Sequence, residues 1–246
     1  MIQRPSYRHE IKYLINKPDW ALLKTRMLGV IPRDINAGEN GEYWIRSLYF
    51  DDYWNTAYEE KDMGILLRHK YRIRIYNCSD TRIVLERKNK FDQYILKESA
   101  PLTRMETDMI LDGDYNFLKK SKLNLLREFY YECTSRIMRP RLVVDYDREP
   151  FVVEAGDVRI TFDKHVRAGF GTFDLFDSAL PTMEVLRADQ MIMEVKYTTF
   201  LPGIVRSLLP PRSSIMTAAS KYVLGCDAAV REQNKNRTEG ILWETR

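Results

Sequence analysis

Charge occupies alternate positions in several short segments where a strand would normally place its core. In Lys70-Tyr71-Arg72-Ile73-Arg74-Ile75 the three cations share one face of a strand, while Tyr71, Ile73 and Ile75 share the other. Arg8, Glu10 and Lys12 do the same against His9, Ile11 and Tyr13. Glu86 and Lys88 repeat the pattern, and Glu194 and Lys196 repeat it again far downstream. One such face reads as the solvated side of a sheet. Its recurrence in strands along most of the chain points instead to a closed barrel with a charged lumen. Such a lumen calls for a polyanion, and with it a divalent cation.

Between these segments the pattern alternates strands with a few helices. Strands are predicted at 7–15, 43–51, 66–77, 81–88, 93–98, 141–149, 151–155, 158–163 and 183–197. A helix is expected over 17–28, opened by Lys17-Pro18-Asp19, and a short one at 55–61. The stretch 105–138 changes to helical spacing broken near Gly113 and Ser121, and 202–225 reads as a helical end interrupted at Pro210-Pro211. This order is not the regular βαβα alternation of a parallel sheet. It predicts an α+β fold, an antiparallel barrel with a helical insertion and a C-terminal helix. Residues 1–230 read as one domain, and 231–246 as a polar tail with the composition of disorder.

Composition narrows the partners. With 246 residues, 44% of them hydrophobic, the chain is long enough for one large core. A net charge of +4 comes from 39 basic and 35 acidic residues that are interspersed, which gives no signal for nucleic acid. Cys78, Cys133 and Cys226 are far apart and odd in number, so neither a disulfide framework nor a CxxC metal site is indicated, and a reducing compartment is expected. Met1-Ile2-Gln3-Arg4-Pro5 leads directly into a strand pattern, and no apolar run approaches the ~20 residues of a membrane span, so a cytoplasmic protein without direct membrane insertion is expected.

The chemistry follows from the alternation. Three like charges on one strand face repel, and holding them in a lumen costs several kcal/mol per ion unless compensated. Phosphate compensates well, because guanidinium forks grip its oxygens and lysine acts as a point charge. The bland alternative is an edge strand whose cations discourage aggregation. Glu10-Ile11-Lys12, Glu86-Arg87-Lys88 and Glu194-Val195-Lys196 form three copies of E-x-K, whose acids can neutralise the cations or hold Mg²⁺ or Mn²⁺. Taken singly, each copy is a cross-strand salt-bridge element. Arg159, Thr161 and Asp163 add another polar face, and Arg141, Asp145, Tyr146 and Arg148 another charged strand. Lys221 sits on an otherwise apolar helical face, where it caps the barrel or simply snorkels. No P-loop, kinase glycine loop, HExxH or G-x-S-x-G is present, and His9, His69 and His165 share no metal spacing.

Seven ordered blocks resemble one family. Arg8-His9-Glu10-Ile11-Lys12-Tyr13, Ile45-Arg46-Ser47-Leu48-Tyr49-Phe50-Asp51, Lys70 to Tyr76, Leu85-Glu86-Arg87-Lys88, Val158 to Asp163, Met193 to Tyr197 and Ser220-Lys221-Tyr222 are similar to the catalytic VTC domain. That is the polyphosphate polymerase branch of the CYTH/triphosphate tunnel metalloenzymes. The resemblance runs from about residue 7 to 225 and implies an eight-stranded tunnel barrel. Residue by residue, it implies Arg72, Arg74, Lys88 and Arg159 as catalytic cations, and Lys12, Arg46, Lys70, Lys97, Lys196 and Lys221 as phosphate ligands. Glu194 would bind Mn²⁺ or Mg²⁺, supported by Glu10 and Glu86. Hydrolytic members carry E-x-E-x-K on the first strand. Arg8 replaces the first of those carboxylates, which weakens a two-metal hydrolytic site and adds a cation, favouring the polymerase branch.

The reading that follows is a metal-dependent phosphotransferase that moves the γ-phosphate of ATP onto a polyphosphate chain. Two others stay open: a triphosphatase acting on inorganic or nucleoside triphosphate, and a polyphosphate- or nucleotide-binding module without turnover.

Overall fold

Strands that alternate charge with apolar side chains can bury both faces only if the sheet closes on itself, and it does. The computed structural model describes residues 7–92, 94–209 and 215–244, with side chains described as far as Asn234 in the last helix and not for Ile215. The leading Met1 to Pro5 and the Pro210-Pro211 break lie outside the described residues. In chain order the elements are β1 (Arg8–Asn16), α1 (Lys17–Leu28), β2 (Tyr43–Asp51), α2 (Thr56–Asp62), β3 (Leu67–Tyr76), β4 (Ser79–Phe91) and β5 (Tyr94–Leu102). There follow α3 (Arg104–Leu111), a 3₁₀ turn, α4 (Asn124–Ser135), β6 (Arg139–Val153), β7 (Val158–Gly169), β8 (Thr182–Glu184), β9 (Gln190–Tyr197), α5 (Gly203–Leu208), β10 (Ile215–Met216) and α6 (Lys221–Glu244).

Eight strands form the ring β1-β5-β4-β3-β2-β6-β7-β9, and β9 returns to pair with β1 over His9–Asn16, every pairing antiparallel. The expected eight-stranded antiparallel barrel is the fold observed. Closure is uneven. β1 and β9 pair along eight positions, whereas β1 and β5 meet only at Arg8↔Ile95 and His9↔Tyr94. Further along, β10 takes the side of β1 that β5 has left, through Tyr13↔Met216 and Leu14↔Ile215.

On β3 and β9, and along much of β4 and β7, the outward face is the apolar one. Tyr71, Ile73, Ile75 and Leu85 pack under α3 and α4 with Ile110 and Phe129. On the opposite side Met193, Ile160 and Phe162 pack under α1 with Leu23 and Met27. Local signals account for the ends. The Asn16 side chain accepts a 2.8 Å bond from the Asp19 amide at the start of α1, with Pro18 in the first turn. Thr103 and Glu106 form a capping box on α3. Asn77 and Cys78 both take positive φ, the two-residue hairpin turn that fits the twist of β3 and β4.

Three differences from the sequence reading have physical reasons. Strands expected at 141–149 and 151–155 are one 15-residue strand, β6, running through Pro150. Pairing with β2 stops at Arg148, so Pro150 lies where β6 has β7 on one side and on the other only a short bridge to residues 32–34, in which the Asp34 amide donates to the Pro150 carbonyl at 3.1 Å and the Val152 amide to the Pro32 carbonyl. A missing N–H is tolerated at such an edge. The strand expected at 183–197 is split into β8 and β9 by a loop, and the helical reading of 202–225 reduces to α5 and the start of α6. The helix α6 runs through most of the stretch read as a polar tail.

A buried carboxylate fixes that helix. Asp51 accepts from the amides of Ala57 (2.8 Å) and Tyr58 (3.1 Å) at the start of α2, and from the Tyr222 hydroxyl (2.6 Å) of α6. Among the described residues no helix is long and apolar enough to cross a membrane.

Gly156, in the turn between β6 and β7, has φ +76° and lies directly against the carbonyl oxygen of Phe200. Gly156→Ala therefore meets both backbone strain and a clash, and should lower stability by roughly 1–3 kcal/mol in urea unfolding; an unchanged midpoint would contradict this contact.

Candidate active site

The lumen holds a cavity of about 580 Å³ whose lining is dominated by the charged faces of β1, β3, β4 and β9 and by the strap Met216–Lys221 that precedes and opens α6. Register sets the height of each charge. Arg72 of β3 stands opposite Glu86 of β4, Lys70 opposite Lys88, and Lys12 of β1 opposite Glu194 of β9.

Each lumen carboxylate is held by cations. Glu86 accepts from Arg72 (Nε 2.8 Å, Nη2 2.6 Å) and Lys97 (2.8 Å), with Arg74 at 3.7 Å. Arg72 also donates to the Tyr49 hydroxyl (2.9 Å), and Arg74 to Ser47 (3.2 Å) and to the Tyr146 hydroxyl (2.9 Å). Asp163 receives a two-pronged contact from Arg148 (2.7 and 2.8 Å) and the Lys221 ammonium at 2.5 Å. Glu10 binds Lys88 (2.7 Å) and Lys12 (3.3 Å), and Glu194 binds Lys196 (3.1 Å).

Burial and charge set the protonation. Burial pushes the Glu86 carboxyl up, but Arg72, Arg74 and Lys97 outweigh it and hold the group well below its ordinary value. Glu194 ends well below its ordinary value for the same reason, through Lys196 and Lys12, and Asp163 falls to about 2 under Arg148 and Lys221. Burial alone would lower Lys12, yet Glu10 and Glu194 raise it. At Lys70 only Asp51 pulls upward, and it is outweighed. Burial first, then the charges of Lys12 and Arg68, bring the lysine down to about 7. It donates to Ser220 Oγ at 3.1 Å and lies 4.9 Å from the centre of the Tyr222 ring. Burial takes Lys88 down to about 8 despite Glu10.

Glu10 and Glu194 lie within hydrogen-bonding reach of each other; Glu194 raises the Glu10 pKa while the hydrogen bond from Glu10 lowers that of Glu194, and lysines hold both ionised. Two carboxylates pressed together are a donor set suited to a hard divalent cation. Among the described residues no cluster of three or more His, Cys, Asp or Glu could hold a metal, so an ion held by Glu10 and Glu194 would need further ligands of another kind. Mg²⁺ and Mn²⁺ fit such a set, because these ions keep several waters and bind one or two carboxylates plus substrate phosphates.

The candidates from sequence distribute as follows. Lys12, Lys70, Arg72, Arg74, Lys88, Lys196, Lys221, Glu10 and Glu194 are brought together around the cavity. Glu86 is buried behind Arg72, and Lys97, half-exposed, reaches it from β5. Arg159 shares the inward face of β7 but stands beyond the cavity, donating to the Tyr43 hydroxyl (3.1 Å) and paired with Asp34. The reading of Arg46 as a phosphate ligand is corrected. Ser47 faces the lumen, so its neighbour Arg46 faces outward, where it is 1% exposed and clamped by two 2.9 Å bonds to Asp145 and by the carbonyls of Leu175 and Asp177. Arg8 likewise adds nothing to the cavity, and pairs at 3.3 Å with Asp157 outside it.

Several lining residues were not counted among the site candidates. Arg68 and Lys90 simply continue the alternation of 70/72/74 and of 86/88 by one step, a signal present in the sequence. Tyr49, Tyr146 and Arg148 carry none, because only the pairing of β2 with β6 shows which parity faces inward.

The VTC domain model matches residues 7–230. Among curated proteins none is similar enough in sequence to match. Among solved structures, HpAC1 from Hippeastrum, a candidate adenylyl cyclase described as having a dominant triphosphatase activity, superposes with a TM-score of 0.53 at 11% identity, covering 92% of this chain and 96% of that one. A candidate adenylate cyclase from Bacillus halodurans gives 0.50 at 14% identity, covering 79% and 82%. At these identities the likeness is one of fold, the CYTH/triphosphate tunnel.

Two expectations follow. Arg46→Ala strands Asp145 in the interior and should cost about 3–5 kcal/mol of stability, read by denaturant unfolding, with tripolyphosphate affinity of the folded protein unchanged; a large loss of affinity would return Arg46 to the site. The second concerns Lys70. Its folded pKa of about 7 lies below the ordinary value of 10.5, so the empty protein gains stability from this group as pH rises through that window, and a polyanion that restores the charge must bring a proton with it. Tripolyphosphate binding at pH 8.5 should therefore take up protons and weaken with rising pH. Calorimetry in buffers of different ionisation enthalpy would show an uptake that shrinks in Lys70→Met; equal uptake in both proteins would exclude this residue.

Proposed function

The chain belongs to the VTC domain family, and from that premise we propose that it is a metal-dependent phosphotransferase that passes the γ-phosphate of ATP to a polyphosphate end held in the cavity. The observation that carries this reading is the state of the lumen acids. Glu10, Glu86, Asp163 and Glu194 are all held below the ordinary carboxylate range by their cations. None is suited to take a proton from water near neutral pH. A phosphate end is already anionic and needs no base, which supports phosphate as the attacking group, whereas an attacking water would have to pass its proton to Lys70, the lining amine brought down to about 7.

The residues then divide the work by position. Arg72 and Arg74 come from one strand face and are fixed by Tyr49, Ser47, Tyr146 and Glu86, so their donors are aimed before any ligand arrives. Such preorganised charge is what phosphoryl transfer through a loose transition state requires. Lys12, Lys70, Lys88 and Lys196 supply point charges on the neighbouring walls, and Lys221, held by Asp163, closes the floor. Held by Glu10 and Glu194, a divalent ion would supply charge neutralisation on the transferred group.

A triphosphatase is the second reading, favoured by the fold shared with the Hippeastrum protein and its described triphosphatase activity. The two differ in product. Incubation of pure protein with ATP and Mn²⁺, followed by separation of orthophosphate, ADP and long-chain polyphosphate, should give ADP and polyphosphate. Orthophosphate in equal amount to ADP would instead establish hydrolysis. Glu194→Gln should abolish metal-stimulated turnover and keep most phosphate binding, since the amide retains the shape and loses the charge.

A further inference from the structure

Arg159 is an inward-facing cation that the cage does not use. It stands in register with Lys196 of β9, which lines the cavity, and shares its face of β7 with Thr161 and Asp163, yet it does not line the cavity itself. Its guanidinium is engaged elsewhere, by the Tyr43 hydroxyl at 3.1 Å and by the carboxylate of Asp34. The Nε–H is buried without an acceptor, so the group is only partly satisfied where it lies.

Asp34 differs from the lumen acids. Glu86 and Asp163 each sit between two or more cations and leave positive charge over. Among the described residues Arg159 is the one cation paired with Asp34, and the two charges cancel. The acid is also held in place independently of Arg159. Its Oδ1 accepts from the amide and the side-chain nitrogen of Asn36 (2.8 and 2.7 Å), and its own amide donates to the Pro150 carbonyl at 3.1 Å, which ties the loop to β6. Burial pushes the Asp34 carboxyl up, but the Asn36 bonds and Arg159 outweigh this and keep it below its ordinary value. A buried, ionised acid on an anchored loop is a fixed counter-charge. At Arg8 the same arrangement is weak, because Arg8 and Asp157 are 40% and 62% exposed and exposed pairs contribute little.

We propose that Asp34 is a specificity-determining residue: by holding Arg159 out of the phosphate cage, it limits the length of phosphate chain that the lumen binds. This rests on the reading of the cavity as a phosphate cage. Without the Asp34 charge, Arg159 would extend the cationic wall past Lys196, and further phosphates of a chain would find a partner beyond the present cavity. With it, a chain meets a neutral pair there and gains no contact on this side by being longer.

Calorimetry without divalent metal, using tripolyphosphate and linear polyphosphates of increasing length, tests this. In the wild type, affinity should level off once the cavity is filled. Asp34→Asn keeps the Asn36 contacts through its amide oxygen and removes the charge. Its tripolyphosphate affinity should stay within about twofold, which also reports that the variant is folded. The longest chains should bind it roughly tenfold tighter, the effect of one added charge-assisted contact. Adding Arg159→Gln should cancel that gain. Identical length dependence in wild type and Asp34→Asn overturns the proposal, as does a gain that survives Arg159→Gln or is as large for tripolyphosphate; the phosphate cage stands in each case. A variant weakened for every chain alike also overturns it, since Asp34 would then be structural only. Failure of the wild type to bind any of these ligands overturns the cage as well.

Discussion

Repulsion among like charges inside a closed barrel is the constraint on which the rest of this structure depends. Arg72, Arg74, Lys12, Lys88 and Lys196 could not share one lumen without Glu10, Glu86, Asp163 and Glu194, each of which lies between cations from different strands. The compensation is incomplete by position. Where a carboxylate is within reach, as at Lys12, the ammonium is stabilised. Where burial and neighbouring cations outweigh the one opposing carboxylate, Asp51, as at Lys70, the ammonium gives up its proton more readily. The empty cage thus keeps a reserve of unsatisfied positive potential on β3 and β4, and an incoming polyanion meets donors already aimed at it.

Much of this was legible in the sequence because a strand has a period of two. The alternation in 70–75, 10–12, 86–88 and 193–197 placed the lumen charges on one face, and the structure keeps those faces, with Arg8 left outside the cavity. What periodicity cannot give is parity between strands that carry no alternating charge. In Ile45-Arg46-Ser47-Leu48 only one of Arg46 and Ser47 can face the lumen, and composition favours the wrong one. Its partner Asp145 is 99 positions away, on β6. The same strand presents Tyr146 and Arg148 inward beside Asp145 outward, a division that sequence alone had merged into a single charged strand.

The sites of local irregularity were also beyond the pattern. The register shift between Asp145 and Asp147 lets β6 stay paired with β7 while β7 turns at His165, whose φ is positive. Pro150 looked like a boundary because a proline inside a central strand is unfavourable. Here the strand has already become an edge on the side where the N–H is missing. Such positions are decided by neighbours distant in sequence, and a single chain read by itself does not name them.

The pairing of β1 with β9 joins one of the earliest described strands to one of the last, and it sets Lys12 opposite Glu194 and brings Glu10 within reach of Glu194. During synthesis on the ribosome, β2 to β7 can form their antiparallel ladder in order as they emerge, each strand beside one already made or soon to follow. The strand β1 must wait, its ladder partner absent until β9 has left the exit tunnel. The carboxylate pair is therefore completed only when nearly the whole domain has been made. A nascent chain cannot close its cage ahead of time, and a polypeptide cut short before β9 carries its cations without the carboxylate that would sit between them.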